Sequence, residues 1–516
     1  MKDNRKSLGR SRRQAAVSLI ACAAAFLVSG VGAQSPAQEA REASVQDQMQ
    51  DRIRSLTDAM SRVQAQLESS QRELVELRQQ LVSLQASVGV SESTGKPSAP
   101  ESTGATDLAA AVAEIRESQA MQETQIATLD QSKVESASKY PVKLSGMVLF
   151  NGFVNTRRVD AGATPSVALS GSGSTGVSAR QTIVGLDIDG PHVLGARTHG
   201  DIRLDMNASA SGSGYTGSYA LGPVRLRTAH LDLNWSGTRA FFALDRPLIA
   251  PETPSSLTAV AVPALAWSGD LWAWSPQAGL SHDAFSSRRG ALRMQAALID
   301  TADPPPLFPT SNSGSYTPPS TAELSRWPGI ESRIAFEGPG EESGARFGVS
   351  GFFAPHRTSN SFFTFDSWAG AVDFRVPASR FMRFSGSTYW GSALGGLGGG
   401  DYKDYVASNI GGRFDYKALD DRGGWVEWKQ KPGERLEFNE AFGIDDVPAG
   451  QLRPYAVATP VGEYNLARNR TFTGNVIYSP SAYLLFSLEY RRIMSSYVTA
   501  PSKFSDVIGV AAGYKF

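Results

Sequence analysis

The segment Ile508-Gly509-Val510-Ala511-Ala512-Gly513-Tyr514-Lys515-Phe516 decides the fold. Ile508, Val510, Ala512, Tyr514 and Phe516 fall at every second position, so they share one face of an extended strand. Working back from it, the same period of two governs everything after Pro141. Leu144, Val148, Phe150 and Val154 share a face in the first such run. In residues 196–206, Ala196, Thr198, Ile202, Leu204 and Met206 alternate with Arg197, His199, Asp201, Arg203 and Asp205. Trp368, Val372, Phe374 and Val376 alternate with Asp373 and Arg375, and Leu484, Phe486, Leu488 and Tyr490 with Ser487, Glu489 and Arg491. Strand after strand, one face is apolar and the other carries charge.

A soluble β-sandwich alternates too, with its charges in bulk water; a transmembrane barrel turns its apolar face to lipid and its charges to the lumen. The closing strand separates the two. An aromatic at the end of an amphipathic strand resembles the signal read by the barrel assembly machinery of the Gram-negative outer membrane. Tyr514 and Phe516 are assigned to that signal, and the machinery and outer-membrane lipid are expected partners. Residues 142–516, at about 23 residues per strand with its share of turns, give about 16 strands, and closure in a membrane favours an even number. The expected fold class is an all-β transmembrane antiparallel barrel with an N-terminal α-helical coiled coil. Phe241, Phe242, Trp390, Trp428, Tyr478 and Tyr490, near strand ends, suit aromatic girdles at the membrane interfaces. Residues 170–178, 207–218, 304–320 and 391–400 read as loops of soluble character.

Ahead of the barrel, Lys2, Arg5, Lys6, Arg10, Arg12 and Arg13 precede an apolar run over 15–28 that closes on Val31-Gly32-Ala33. This is the pattern of a secretory signal peptide over residues 1–33. Leu19-Ile20-Ala21-Cys22 matches a lipoprotein box, but cleavage there would leave residues 23–28 as a greasy tail. No other run reaches the ~18 apolar residues of a spanning helix, so any membrane crossing uses strands. Within 34–88, Ile53, Leu56, Met60, Val63, Leu67, Leu74, Leu77, Leu81, Leu84 and Val88 recur at spacings of three and four, interrupted by Ser70. That narrow stripe suits a self-associating coiled coil better than a helix lying on its own domain. Residues 89–106 read as a flexible linker, and Leu108, Val112, Ile115, Ile126 and Leu129 mark a second helical segment over 107–139. The barrel takes 140–516. With an even strand count both barrel ends face the periplasm, which places the coiled coil there.

Composition narrows the chemistry. The 516 residues carry 50 Lys plus Arg against 50 Asp plus Glu, and zero net charge argues against a nucleic-acid partner. One cysteine leaves no disulfide framework and no Cys-rich metal site. Gly-x-Gly-x-x-Gly occurs at 171–176 and 212–217, but neither match follows a buried parallel strand or opens a helix; both read as mobile loops, and no cofactor is expected. His199, Asp201 and Asp205 share a face, yet Arg197 and Arg203 interleave with them and would repel a cation, so no metal is assigned. His192, His199, His230, His282 and His356 accompany no Gly-x-Ser-x-Gly turn; no catalytic triad is assigned and the chain is not read as an enzyme.

The charges left on the inferred inner faces are Arg197, Asp201, Arg203, Asp205, Asp373, Arg375, Arg383 and Arg491, with His230, Asp232 and Glu489. In a pore, opposite signs on facing walls set up a transverse field that orients hydrated polar solutes. Alternatively the charges pair with one another and choose no solute. Residues 247–276, with Leu257, Val260, Val262, Trp267, Trp272 and Trp274, suit either a constriction loop inside the barrel or a lipid-facing hairpin.

Lys143-Leu144-Ser145-Gly146, Ser178-Ala179-Arg180-Gln181-Thr182-Ile183-Val184-Gly185-Leu186 and Gly200-Asp201-Ile202-Arg203-Leu204-Asp205 occur in that order. Phe384-Ser385-Gly386-Ser387-Thr388-Tyr389 and Ser487-Leu488-Glu489-Tyr490-Arg491-Arg492 follow, before Phe516. Together they resemble the DcaP-like porins, trimeric outer-membrane channels whose barrel follows a periplasmic coiled coil. The resemblance covers residues 40–516 loosely and implies a homotrimer passing small hydrophilic solutes by passive diffusion. Guanidinium groups hold carboxylates with paired hydrogen bonds, which adds small organic anions such as dicarboxylates to the expectation. The alternative is a trimeric adhesin or structural anchor without a conducting pore. Such an adhesin carries few strands per chain, whereas residues 142–516 suffice to close a barrel alone.

Overall fold

The computed structural model describes residues 141–516 apart from 209–222, 305–318, 341–343, 359–362, 411–412 and 458–463. The signal peptide, the coiled coil over 34–88, the linker over 89–106 and the second helix over 107–139 lie outside the described residues. The strands are β1 (Val142–Val159), β2 (Ala168–Ser178), β3 (Ile183–Val193), β4 (Ala196–Asp205), β5 (Arg225–Trp235) and β6 (Thr238–Asp245). They continue with β7 (Ser275–Ser287), β8 (Gly290–Ile299), β9 (Gly329–Glu337), β10 (Arg346–Arg357), β11 (Thr364–Ser379) and β12 (Met382–Ser392). The series ends with β13 (Tyr405–Ile410), β14 (Arg413–Ala418), β15 (Asp420–Gln430), β16 (Leu436–Asp446), β17 (Leu466–Tyr478), β18 (Leu484–Tyr497) and β19 (Lys503–Lys515).

β13 and β14 form a hairpin of their own, and the others form one sheet. β2 and β3 are two halves of one barrel strand, because both run antiparallel to β1, with Asn151 opposite Ser178 and Met147 opposite Ile183. Counted this way, the wall is a closed antiparallel barrel of 16 strands. It closes where β1 meets β19, from Met147 opposite Lys515 to Asn155 opposite Val507. The even count returns both ends of the wall to the same rim. At that rim the connections are tight, as at 194–195, 236–237 and 288–289; at the other they are long, as at 206–224, 246–274, 300–328, 393–419 and 447–465.

The wall is inverted relative to a water-soluble protein. On β1, Phe150 is 62% exposed and its neighbour Asn151 3%; on β18, Leu488 is 58% exposed and Glu489 2%. Leu280, Ile330, Ile334, Phe347 and Val349 continue the exposed apolar face, while Arg333, Asp373, Glu427 and Arg491 are buried behind it. Only a hydrocarbon surround makes that arrangement favourable, since it leaves apolar area outside and lets the charges pair within. Phe242, Trp390, Trp428, Tyr478 and Tyr490 are outward-facing and exposed, but Phe241 is buried on the inner side of β6, which removes it from the expected girdles.

Two other expectations change. Residues 170–178, expected to be a loop, belong to β2, and with them the first Gly-x-Gly-x-x-Gly match. The ladder with β1 uses backbone groups alone, and a Cβ on Gly173 would sit 2.0 Å from the Asn155 carbonyl oxygen, so the missing side chain is what permits the approach. Residues 391–400 are not a solvated loop: Gly395, Gly396, Leu397 and Gly400 are buried in the barrel mouth. At Gly398, where φ is +96°, a Cβ would lie 2.7 Å from the Trp272 ring.

Candidate functional site

One connection shapes the interior. Residues 246–274, between β6 and β7, fold into the barrel, so the segment flagged in the sequence is an internal loop and not a lipid-facing hairpin. Arg246 ties both of its ends. The guanidinium pairs with fully buried Asp270 and donates to the carbonyl oxygens of Ala250 at 3.0 Å, Glu252 at 3.0 Å and Leu271 at 3.1 Å. The Thr253 hydroxyl donates to the same Asp270 at 2.9 Å.

From that base the loop crosses to the far wall. The Leu248 amide donates to Glu331 of β9 at 2.7 Å and the Ser255 amide to Glu427 of β15 at 2.5 Å. The Ser256 and Thr258 hydroxyls donate to Glu489 of β18 at 2.5 and 2.7 Å. Gln181 accepts from the amides of Val260 and Ala261 at 2.7 and 3.0 Å, while Asn151 of β1 donates to the Leu257 carbonyl oxygen at 3.2 Å and Asn475 of β17 to that of Ser255 at 2.8 Å. The wall carboxylates of Glu331, Glu427 and Glu489 thus hold backbone and hydroxyl groups of the loop. Charge-assisted hydrogen bonds of this kind offset the desolvation of a buried carboxylate.

Of the charges picked from the sequence, Asp205, Asp373 and Arg491 are buried, opposite the exposed apolar faces, and most of the set are paired. Asp373 takes Arg333 in a fork, at 2.9 and 2.7 Å, and Arg375 reaches Glu252 of the inner loop at 2.8 Å. Arg346 holds the other oxygen of Glu252 at 2.8 Å, and Arg293 bridges Asp283 at 2.8 Å and Glu337 at 2.6 Å. Here four guanidinium groups, Arg293, Arg333, Arg346 and Arg375, pair with four carboxylates, Glu252, Asp283, Glu337 and Asp373, and these eight charges cancel. Arg491 lies against Glu489 and donates to the Pro165 carbonyl oxygen at 3.1 Å. Arg383 lines a cleft of about 340 Å³ at the tight-turn rim together with Arg380, Lys429 and Lys431.

Across β3 to β6, Arg203 binds Asp187 at 2.6 Å and lies 3.7 Å from Asp201. His230 bridges Asp201 and Asp245, each at 3.0 Å. Asp187, His199 and Asp201 bring ligand atoms within 4.8 Å of one another, but the Arg203 guanidinium sits among them as the counter-charge. Asp205 is not part of that group; it is buried against Arg225 at 2.8 Å. Arg197 is exposed near the tight-turn end of β4.

Sequence reading missed Arg227. A register shift in the ladder of β4 with β5 places Thr228 opposite Arg203 but Leu226 opposite Leu204, leaving Arg227 as the extra residue of a bulge. The bulge breaks the period of two, so alternation does not reveal which way this side chain is aimed. Arg227 makes no hydrogen bond or ion pair among the described residues; its guanidinium lies 5.1 Å from the ring of Trp274, and that of Arg225 5.0 Å from the same ring. A half-buried cation with an unsatisfied Nη1, backed by an indole, is equipped to receive an anion.

A closed barrel of 16 strands, apolar outside, charged inside and narrowed by a loop folded inward, is the architecture of the outer-membrane porins. The chain is similar in fold to a solved outer-membrane channel. The outer-membrane channel DcaP of Acinetobacter baumannii matches over 75% of this chain and 100% of its own, with 16% identity and a TM-score of 0.56. An anion-selective porin from Comamonas acidovorans matches over 73% of this chain and 100% of its own, at 10% identity and a TM-score of 0.42. OprB of Pseudomonas putida covers 73% of this chain and 94% of its own, at 7% identity and a TM-score of 0.42. Comparison of the sequence with family models and with curated proteins finds no match.

Proposed function

We propose that this chain is a porin through which small hydrophilic solutes cross the outer membrane by passive diffusion, with small organic anions such as dicarboxylates favoured. The reading is of a homotrimer whose coiled coil lies in the periplasm. The observation that carries it is the inner loop, locked from β6 to β18, which turns a wide barrel into a narrowed passage. Anion preference rests on what the pairing leaves over. The four guanidinium groups and four carboxylates paired around β8 to β11 cancel, whereas Arg227 beside Trp274 keeps its charge without a carboxylate partner among the described residues. Neutral and apolar solutes gain nothing from such groups, while a carboxylate exchanges water for a charge-assisted hydrogen bond.

Purified protein in planar bilayers should show stepwise conductance in groups of three, with a reversal potential in a salt gradient on the anion side. Liposome swelling should rank dicarboxylates ahead of sugars and cationic amino acids of similar size. A tight seal without current would refute the porin and support the structural anchor. Current with cation preference would refute only the choice of solute.

A further inference from the structure

Where the connection 393–419 folds into the barrel mouth, it meets the inner faces of β12, β15 and β16 and brings acidic side chains together. Tyr389, Gly423 and Asp445 are direct neighbours across those three strands, and Asp421 lies two residues from Gly423 on the same face. Asp401 enters from the connection. Asp401 and Asp445 are 0% exposed, Asp421 3% and Tyr389 2%. Both carboxylate oxygens of Asp401, both of Asp445 and Oδ1 of Asp421 lack a hydrogen-bond partner. Independently of the acids, so does the phenol hydroxyl of Tyr389, which is set among them; a Cβ on Gly423 would lie 2.3 Å from that oxygen, so glycine there is what admits it. Asp421 Oδ2 alone is satisfied, by the Gly400 amide at 2.7 Å.

One cation lies close to these acids, and two others are engaged elsewhere. Buried Lys403 donates to the carbonyl oxygens of Asp401 and Leu466. Arg422 and Arg468 pair with Asp446, whose side chain stands on the opposite face of β16. Three ionised carboxylates against one ammonium would leave two negative charges in excess, and uncompensated buried charge is strongly unfavourable, so the cluster must take up a counter-charge.

We propose that Asp401, Asp421 and Asp445 bind a hard divalent cation of the calcium type, completed by the Tyr389 hydroxyl and water, and that this ion fastens the 393–404 segment to the barrel wall. The donor set is all oxygen, and three carboxylates with one phenol, Asp421 and Asp445 lying within hydrogen-bonding reach of each other and Tyr389 of Asp445, suit an ion that takes six to eight oxygen ligands. The three acids are not yet closed to mutual ligand spacing, the only such set among the described residues being Asp187, His199 and Asp201, so binding draws the Gly400–Tyr402 turn onto the wall. That turn already holds Asp401 at φ 45° and Tyr402 at φ 72°, left-handed conformations that something must hold in place. Protons are the competing occupant. Burial, together with the charges of Asp421 and Asp446, pushes the Asp401 carboxyl well above the usual carboxylate range.

The full chain, purified in detergent and stripped with EDTA, should be titrated with Tb³⁺ and then with Ca²⁺. Tyr389 adjoins the site, so aromatic excitation should give terbium emission that calcium displaces, at one ion per chain. Half-saturation by calcium should fall on the order of 10⁻⁴–10⁻³ M, as for extracellular calcium modules. Asp445→Asn and Asp401→Asn should each weaken calcium binding by about tenfold or more with the far-ultraviolet circular dichroism unchanged, while Asp187→Asn should not. Two results overturn the proposal: no calcium-displaceable emission from the wild-type chain, or emission that survives Asp445→Asn undiminished. A wild-type melting temperature that rises on acidification but not with calcium assigns the cluster to shared protons and overturns it equally. The decisive titration uses the wild-type protein, so a variant that fails to fold does not rescue the idea.

Discussion

Replacing Arg246 by Met keeps the stem of the side chain and removes the fork that ties both ends of the inner loop. Asp270 is then a fully buried carboxylate whose remaining donor is the Thr253 hydroxyl, and the carbonyl oxygens of Ala250, Glu252 and Leu271 lose a partner. Breaking a buried ion pair from one side typically costs about 3–5 kcal/mol. The carbonyl losses overlap with that figure, because the loosened base can rehydrate. Taking about 3 kcal/mol, the ratio of docked to undocked loop base falls roughly 150-fold, at 1.4 kcal/mol per factor of ten. The loop does not leave the barrel, since Glu331, Glu427, Glu489 and Gln181 hold it farther along. The assay is single-channel recording. Steady wild-type openings should give way to rapid fluctuation between the wild-type level and larger ones, and Arg246→Lys, which keeps the charge but not the fork, should fall between. Asp270→Asn should partly quiet Arg246→Met, because it removes the orphaned charge. Openings of wild-type size and steadiness in Arg246→Met, with an unchanged melting temperature, would show that the loop is held without this knot.

Arg227→Gln should move the reversal potential toward cations, and more in dilute salt, where screening is weak; an unmoved potential would remove this arginine from the conduction path. Arg375→Gln should shift selectivity the same way by leaving Glu252 with Arg346 as its one remaining ion-pair partner among the described residues, and adding Glu252→Gln should restore the wild-type value, since the two changes cancel in charge. If the double variant stays shifted, the two charges act separately on the permeating ion. Deleting Phe516 removes two backbone bonds to Gly146, of 3.0 and 3.1 Å, and the ring that packs there; less barrel should reach the outer membrane while the conductance of what does is unaltered. Immunoblots of the membrane fraction showing full levels would refute that.

Much of the wall was legible because alternation is a local property. The period of two in Leu484, Phe486, Leu488 and Tyr490, set against Glu489 and Arg491, already separates lipid face from interior, and the arithmetic of strand length gives the count. What the charges do was less legible. Asp373 finds Arg333 forty residues away and Arg375 finds Glu252 on the inner loop, and such meetings depend on strand stagger that side-chain type does not encode. Arg227 was hidden by a bulge, β2 by its run of glycine and serine, which carries no apolar–polar alternation, and Asp401 by the glycines around it, which read as open loop but allow the backbone to enter a packed space. Alternation reports the two faces of a regular strand; it is silent wherever the chain departs from regularity.

The inner loop also constrains the order in which the barrel can form. Its middle, Ser255 to Ala261, is held at once by Asn151 and Gln181 from the first strands and by Asn475 and Glu489 from the last. Those partners lie near opposite ends of the barrel segment, and they are brought side by side only when the wall closes. A loop threaded through a finished cylinder would have to shed its water and find many strands in a confined space. A loop seated on the early strands while the sheet is still open offers the late strands a ready edge to settle against. If β19 met β1 two residues out of place, Asn151 would still reach Leu257 while Glu489 slid away from Ser256 and Thr258, leaving a buried carboxylate bare. The segment that narrows the passage therefore serves as a mandrel in assembly, penalising a misaligned closure before the cylinder is sealed.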